Sequence, residues 1–139
     1  MQIIPFSENH RAAIIYLWQQ CELTRPWNDP NKDIDRKLAE HPELFLIGIE
    51  DNQVIASVMG GYEGHRGWVS YLAVAPDRQH KGYGKEIMRA LEEKLLQLGC
   101  PKINLQVRTT NTKVIAFYEA MGFKMDDVVS MGKRLINDD

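Results

Sequence analysis

The sequence has little of what marks a disulfide-stabilised or metal-bound protein. Its 139 residues include two cysteines, Cys21 and Cys100, which do not form a C-x-x-C pair. We therefore expect free thiols in a reducing compartment rather than a disulfide framework. The four histidines, at positions 10, 41, 65 and 80, lack the spacing of metal ligands, so we expect no metal site.

Long apolar runs and an excess of one charge are also missing. No run is long enough to span a bilayer, and we expect no secretory signal, which favours a cytoplasmic location. The net charge of -2 gives no general attraction to nucleic acid or to a membrane, and neither is expected as a partner. The hydrophobic fraction of 44% is ordinary for a globular chain, and we expect one domain over residues 1–139.

Hydrophobic periodicity predicts a mixed α/β chain with the element order β-αα-βββ-α-β-α-β. Helices are predicted after Ser7, after the start signal Asp29-Pro30, after Gly84, and from Asn111 to Tyr118. Strands are predicted at residues 2–6, 44–50, 54–62, 68–75, 103–107 and 125–131. Gly60 and Gly61 predict a bend or bulge near the far end of the hairpin. The third consecutive strand, residues 68–75, is almost wholly apolar, which is typical of a central strand covered on both faces.

The segment Gln79-His80-Lys81-Gly82-Tyr83-Gly84-Lys85 joins this strand to a strongly periodic helix. The first turn of a helix has unpaired N–H donors and a partial positive charge, and glycines let a ligand approach the backbone. The pattern predicts a cradle for a diphosphate. A simple tight turn remains the alternative.

Two nucleotide-binding motifs do not fit. A Rossmann fingerprint needs glycine or alanine near position 87, which is Ile87. A P-loop needs serine or threonine after Gly84-Lys85, where Glu86 stands.

A third pattern does fit. Residues 79–84 have the form Q-x-x-G-x-G, after Leu72-Ala73-Val74-Ala75-Pro76 and before the stretch from Asn111 to Phe123. Over nearly the whole chain this resembles the GNAT family of acetyl-CoA-dependent N-acetyltransferases, and residues 23–30 and 59–67 resemble a small bacterial member. The resemblance implies the GNAT fold, a mixed and mostly antiparallel sheet with splayed central strands and about four helices.

The resemblance also implies where acetyl-CoA binds as co-substrate. Backbone amides of the glycine segment would hold its pyrophosphate, and the exposed edge of the strand before it would pair with pantetheine. The implied coenzyme-binding residues are Leu72, Ala73, Val74, Gln79, His80, Lys81, Gly82, Tyr83, Gly84, Lys85 and Asn111. Asn111 is alternatively a helix N-cap.

Tyr118 matches the family's tyrosine that protonates the departing thiolate, as a phenol with a pKa near 10 can do. The alternative is a core tyrosine on a helix face. A related branch has a glutamate where this chain has Gln106, which cannot act as a base. Glu63 and His65, at the end of the preceding hairpin, are the available candidates. Glu63 is taken as the candidate base, and a water chain that ends on backbone carbonyls is equally acceptable.

The first two helices and the hairpin contact substrate in this family, which points to Arg25, Trp27, Asn28, Asp29 and Tyr62. Trp27 is either a lid over the acceptor or an anchor packed on the core.

The leading hypothesis is transfer of acetyl to a primary amine of a small molecule, a protein N-terminus or a lysine, by a monomer or homodimer. A non-catalytic acyl-CoA-binding or sensing domain is the second hypothesis, and an interaction protein that lost its ligand is the third.

Overall fold

A computed structural model describes all of residues 1–139. Its five strands are β1 (Gln2–Pro5), β2 (Phe45–Glu50), β3 (Gln53–Tyr62), β4 (Gly67–Val74) and β5 (Ile103–Leu105). Its four α-helices are α1 (Arg11–Gln20), α2 (Pro30–Leu38), α3 (Tyr83–Gln97) and α4 (Thr112–Ala120). The predicted order is confirmed up to α4. None of these helices combines the length and the apolar character needed to cross a membrane.

The five strands form one sheet in the order β1-β2-β3-β4-β5. The first four strands pair antiparallel, and β5 lies parallel to β4. Because β4 and β5 run the same way, the chain must cross over between them, and α3 makes that crossover. The predicted mixed, mostly antiparallel sheet is therefore confirmed.

Two hydrophobic cores cover the two faces of the sheet. On β2 the side chains alternate, so that Phe45 and Ile47 enter the core with α1 and α2, while Leu46 enters the core with α3 and α4. All three are fully buried. Alternation with both faces buried follows from the two-residue period of a strand, and it fixes the register of the sheet.

The parallel ladder between β4 and β5 is short. Gly67, Trp68 and Val69 pair with Ile103, Asn104 and Leu105, and there β5 ends, while β4 continues to Val74. Residues 70–74 therefore lack a strand neighbour on this side. The predicted splay of the central strands is confirmed, although β5 is two residues shorter than predicted.

The predicted last strand at residues 125–131 is wrong. This stretch has no strand structure, and Met125, Val129 and Met131 are 81%, 85% and 89% exposed. Only side-chain hydrogen bonds connect this stretch to the residues that flank β5. Lys102 donates to Asp126 at 3.0 Å, and Gln106 donates to Ser130. Strand-forming residues become a strand only where a backbone ladder forms, and here none does.

Three local predictions have mixed outcomes. Asp29 caps α2 as predicted, because its Oδ1 accepts the Asn31 N–H at 2.9 Å and Pro30 occupies the first turn. Ser7 does not cap a helix with its hydroxyl, which instead contacts the side chains of Asn9 and His10. Gly60 and Gly61 form no bulge, since they pair regularly with Val69 and Trp68.

Candidate active site

The glycine loop, residues 79–85, presents a row of free backbone donors. None of its N–H groups donates to a backbone carbonyl, and the first bond of the following helix is Glu86 N–H to Gly82 C=O at 3.1 Å. The loop therefore places unpaired donors and the positive end of the α3 dipole together at one surface. Such an arrangement suits an anionic group that approaches from solvent.

Backbone geometry explains the glycines of this loop. Gly82 has φ +85° and precedes α3, so a side chain there would be strained. Gly84 is needed for a different reason, since a Cβ at this position would lie 3.2 Å from the Phe117 ring on α4. One glycine thus shapes the loop, and the other allows α3 to approach α4.

Two side chains of this region point to β2 rather than to solvent. Tyr83 donates its hydroxyl proton to Glu50, and Arg78 forms an ion pair with the same carboxylate. The hydrogen bond from Tyr83 is the largest influence that lowers the pKa of Glu50, and Arg78 adds to it. Tyr83 therefore offers a bound anion its backbone amide, whereas Lys81 and Lys85 are exposed and free of ion pairs within 4 Å.

A bulge interrupts β4 just where its open edge begins. Ser57 on β3 pairs with Ala73, whereas Met59, two residues further on, pairs with Ser70, three residues back along β4. The extra residue lies on β4, where Tyr71 has φ +51°. A positive φ at a bulky residue is uncommon and must be stabilised by its surroundings. Leu72, Ala73 and Val74 follow the bulge along the open edge, so the predicted coenzyme residues of β4 have backbone groups on the side that β5 leaves free.

A buried hydrogen-bond relay stabilises this bulge. Trp18 Nε1 donates to Ser57 Oγ at 2.9 Å, and Ser57 Oγ donates to the Tyr71 carbonyl at 2.8 Å. The Trp18 and Tyr71 rings stack with centroids 3.8 Å apart. Trp18 and Ser57 are fully buried, so loss of either partner would leave a buried polar group unpaired.

A cavity of about 550 Å³ lies beside the bulge, between β4 and α2. We call it the α2 cavity, and its lining residues are Leu23, Asn28, Asp33, Arg36, Lys37, Glu40, Met59, Ser70 and Tyr71. Asp33 is fixed at its base, because its Oδ2 accepts the Tyr71 hydroxyl at 2.6 Å. This contact and burial raise the pKa of Tyr71, so its hydroxyl keeps its proton.

Of the five predicted substrate residues, only Asn28 lines the α2 cavity. Arg25 donates to the carbonyls of Glu22 and Thr24, and Asp29 caps α2. Trp27 is 51% exposed, and the Tyr62 hydroxyl donates to the Gly64 carbonyl at 3.2 Å.

Sequence reasoning missed the polar residues of α2. Asp33, Arg36 and Lys37 on α2 and Glu40 just beyond its end recur at three- and four-residue intervals, which was the available signal for one shared face. Tyr71 was missed as well, because only the sheet brings it to this helix.

The candidate base Glu63 lies in the exposed turn after β3. Its two carboxylate oxygens accept the N–H groups of His65, at 3.1 Å, and of Arg66. Glu63 lines neither the α2 cavity nor the cavity beside β5 that is described next. In this structure, its carboxylate shapes its own turn.

Tyr118, on α4, is 8% exposed and belongs to the core between the sheet and helices α3 and α4. Its ring lies edge-on to the rings of Phe117 and Phe123. It also lines a cavity of about 1040 Å³ between β5, α4 and the C-terminal segment. Burial raises the pKa of Tyr118 to about 12, so the phenol is protonated at neutral pH. Burial alone shifts this pKa, with no contribution from a hydrogen-bond partner, which leaves the proton available.

Asn111 occupies the N-cap position of α4 without a capping bond from its side chain. The amide group is exposed and remains free to contact a ligand. The alternative prediction, capping by this side chain, does not hold in the structure. No group of three or more His, Cys, Asp or Glu side chains gathers as a metal site.

The C-terminal segment, residues 124–139, reaches across to the N-terminal end of α2. Asp138 accepts the Asp29 N–H at 2.8 Å and contacts Arg36 at 2.7 Å. Arg134 donates to the Asn28 side chain at 2.5 Å. The last residues therefore fix one rim of the α2 cavity, a contact that sequence periodicity could not predict.

Comparison with known proteins identifies the class. The sequence profile of the Acetyltransferase (GNAT) family matches residues 12–123. An acetyltransferase of Yersinia pestis (strain Pestoides F) is 46% identical over 138 residues, which cover 99% of this chain and 98% of that protein. An acetyltransferase of Sodalis glossinidius (strain morsitans) is 48% identical over 139 residues, with the same coverage.

Solved structures share the fold at lower identity. PaiA N-acetyltransferase from Thermoplasma acidophilum in complex with coenzyme A has a TM-score of 0.80 at 19% identity, covering 92% of each chain. AAC(6')-Iy in complex with the bisubstrate analogue CoA-S-monomethyl-acetylneamine has a TM-score of 0.79 at 18% identity, covering 96% of this chain and 98% of that one.

The chain belongs to the GNAT acetyltransferase family, and it is an acyltransferase. The resemblance inferred from the residues is thereby confirmed at the level of the family. The hypotheses of a non-catalytic binding domain and of an interaction protein are not supported.

Proposed function

We propose that the whole chain, acting as one domain, transfers the acetyl group of acetyl-CoA to a primary amine. The observation that carries the proposal is the glycine loop, whose free amides lie directly beyond the open edge of β4. A diphosphate at the loop and an extended pantetheine along β4 would together place the thioester near the bulge. The solved complexes with coenzyme A and with a bisubstrate analogue support this choice of donor.

The reaction forms a bond between the amine nitrogen and the thioester carbonyl carbon, and it breaks the bond from that carbon to sulfur. A backbone amide of Leu72, Ala73 or Val74 would polarise the carbonyl oxygen. The departing thiolate takes the Tyr118 proton, which the raised pKa keeps in place at neutral pH.

The amine must lose a proton before or during attack. Glu63 was the candidate base from the sequence, and a water chain was its alternative. Asp33 is better placed than Glu63, because it lines the α2 cavity beside Ser70 and Tyr71 of β4. A carboxylate at this position also attracts the incoming ammonium group.

Amine-dependent release of free thiol from acetyl-CoA tests this function, with mass spectrometry of the acetylated product. We expect release that requires both the amine and the protein, and a rise in melting temperature when acetyl-CoA alone is added. Absence of that rise would remove the coenzyme from the proposal. Coenzyme binding without thiol release, across small amines and peptide N-termini, would remove transfer to an amine.

A further inference from the structure

The α2 cavity contains one cation that lacks a counter-ion within 4.0 Å. Arg36 and Lys37 are the two basic residues of its lining, and Arg36 contacts both Asp138, at 2.7 Å, and Asp33, at 3.4 Å. Lys37 has no carboxylate within 4.0 Å and donates no hydrogen bond to the protein. It is nevertheless only 8% exposed.

No buried side-chain nitrogen lacks a hydrogen-bond partner, so the unpaired ammonium of Lys37 keeps contact with solvent in the cavity while most of its side chain is packed. Burial accordingly lowers the pKa of Lys37, while the more distant Glu43 and Glu40 act in the opposite direction. Its nitrogen lies 3.9 Å from the place that a Cβ at Gly61 would occupy, so the missing side chain on β3 leaves room beside the ammonium. An anionic ligand group that enters the α2 cavity can supply the missing partner.

Asp33 lies one helical turn before Lys37 on the same face of α2. Their Cα atoms are about 6 Å apart along the helix axis, and no ion pair joins the two side chains. Asp33 is at the β4 end, held by the Tyr71 hydroxyl at 2.6 Å. The lining thus offers an anion next to the proposed acetyl position and a cation one turn away.

We propose that the acceptor is a small zwitterionic amine, whose ammonium group lies against Asp33 and whose carboxylate binds Lys37. This inference rests on the proposed function, because it assigns the acceptor of the same transfer. The cavity of about 550 Å³ accommodates a small amino acid. Lys37 is a binding residue in this assignment and takes no part in proton transfer.

Two probes that differ only in the anionic group test the assignment. They are 4-aminobutyrate and its amide, 4-aminobutyramide, titrated calorimetrically into the protein saturated with coenzyme A. We expect the wild type to bind the carboxylate at least about tenfold more tightly, as one charge-assisted hydrogen bond permits. The variant Lys37→Met, of similar length and volume, should lose this preference, and Lys37→Arg should retain most of it.

Lys94→Met is the matched control, because Lys94 lies on α3 and lines neither cavity. It should leave both affinities unchanged. Equal binding of the two probes by the wild type, or an undiminished preference in Lys37→Met, would overturn the assignment.

Thiol release with the same probes separates this failure from failure of the proposed function. Release with the amide but without preference for the carboxylate would overturn the zwitterionic acceptor and leave acetyl transfer intact. A carboxylate preference that depends on Lys37, in a protein that releases no thiol with any amine, would support the anion site and contradict the transfer.

Discussion

The two ends of the proposed site present different chemical groups, backbone amides at one end and charged side chains at the other. At the donor end, residues 79–85 offer backbone N–H groups, and the one tyrosine there turns its side chain away to Glu50. At the α2 cavity, charged side chains from α2 meet β4, with Asp33 bound to Tyr71. Backbone groups suit the coenzyme, because it is the same with every acceptor. Side chains suit a variable acceptor, because they can be replaced without altering the fold.

This difference separates the two tasks of the protein. Changes at the glycine loop should affect coenzyme binding with every acceptor. Changes on α2 should alter the choice and the affinity of the amine while coenzyme binding remains the same. Substitutions at each end therefore test whether coenzyme binding and amine binding are separate properties of these two regions.

The largest effect on coenzyme binding is expected from Gly82→Ala. Alanine at φ +85° costs about 1–2 kcal/mol and distorts the amides that precede α3. Coenzyme affinity, measured by calorimetry, should fall roughly 10- to 100-fold, as for one or two lost charge-assisted hydrogen bonds.

Gly99→Ala is the control for this change, since Gly99 has φ +84° beyond the other end of α3 and open space around it. It should cost similar stability without weakening the coenzyme. Equal loss of affinity in both variants would mean that the glycine loop has no special role.

Tyr118→Phe should lower kcat by roughly 100-fold, the lower range for removal of a general acid. The KM for acetyl-CoA should change little, because no hydrogen-bond partner contributes to the pKa of the phenol and its removal leaves no protein group unpaired. Since the pKa of Tyr118 is about 12, the wild type should keep its acid through pH 10. Tyr16→Phe, at a 61% exposed position on α1, is the control, and unchanged turnover in Tyr118→Phe would exclude the tyrosine as the acid.

Asp33→Asn is expected to reduce kcat/KM for the amine by about tenfold or more, through loss of a charge that faces the acceptor. Glu63→Gln should stay within about threefold, since its carboxylate binds its own turn. Steady-state kinetics at saturating acetyl-CoA compares the two variants. A larger loss in Glu63→Gln would assign the acceptor end to the hairpin turn instead of α2.

Asp138→Asn should have the smallest effect. Its hydrogen bond to Arg36, followed by the Asp29 N–H, lowers the pKa of Asp138 to about 2. A lowered folded-state pKa stabilises the fold above the ordinary value of 3.8, and that contribution is lost as pH falls through about 2.

Thermal melts of Asp138→Asn should show a small loss of stability at pH 7 that shrinks as the pH falls below about 4. The neighbouring exposed residue provides the control, Asp139→Asn, which should match the wild type throughout. A difference that persists unchanged at low pH would show that the charge of Asp138 does not attach the C-terminal segment.

The geometry of the glycine loop could be predicted because its determinants are consecutive in sequence. Gly82 is required by a local positive φ, and the free amides follow from the first turn of α3. The α2 cavity could not be predicted in this way, since Asp33 and Tyr71 are 38 positions apart and meet only after the sheet forms. Its one local signal was the polar spacing on α2.

Prediction of the strands also depended on whether their determinants are local in sequence. Strands with two buried faces, such as β2, were recognisable from composition and from turns at their ends. Residues 125–131 include the strand-forming Val128 and Val129 but remain unpaired, because strand formation depends on a neighbouring backbone as well as on the residue itself. The contact of Asp138 with α2 spans most of the chain and leaves no local pattern.

Backbone amide NMR of the protein titrated with coenzyme A tests directly whether the glycine loop binds the acetyl donor. We expect the largest changes in amide chemical shift and the strongest protection from hydrogen exchange at residues 79–85, and a second set of changes along residues 72–74. Amides of α2 should move little. Coenzyme binding that leaves the amides of residues 79–85 unperturbed would contradict the account.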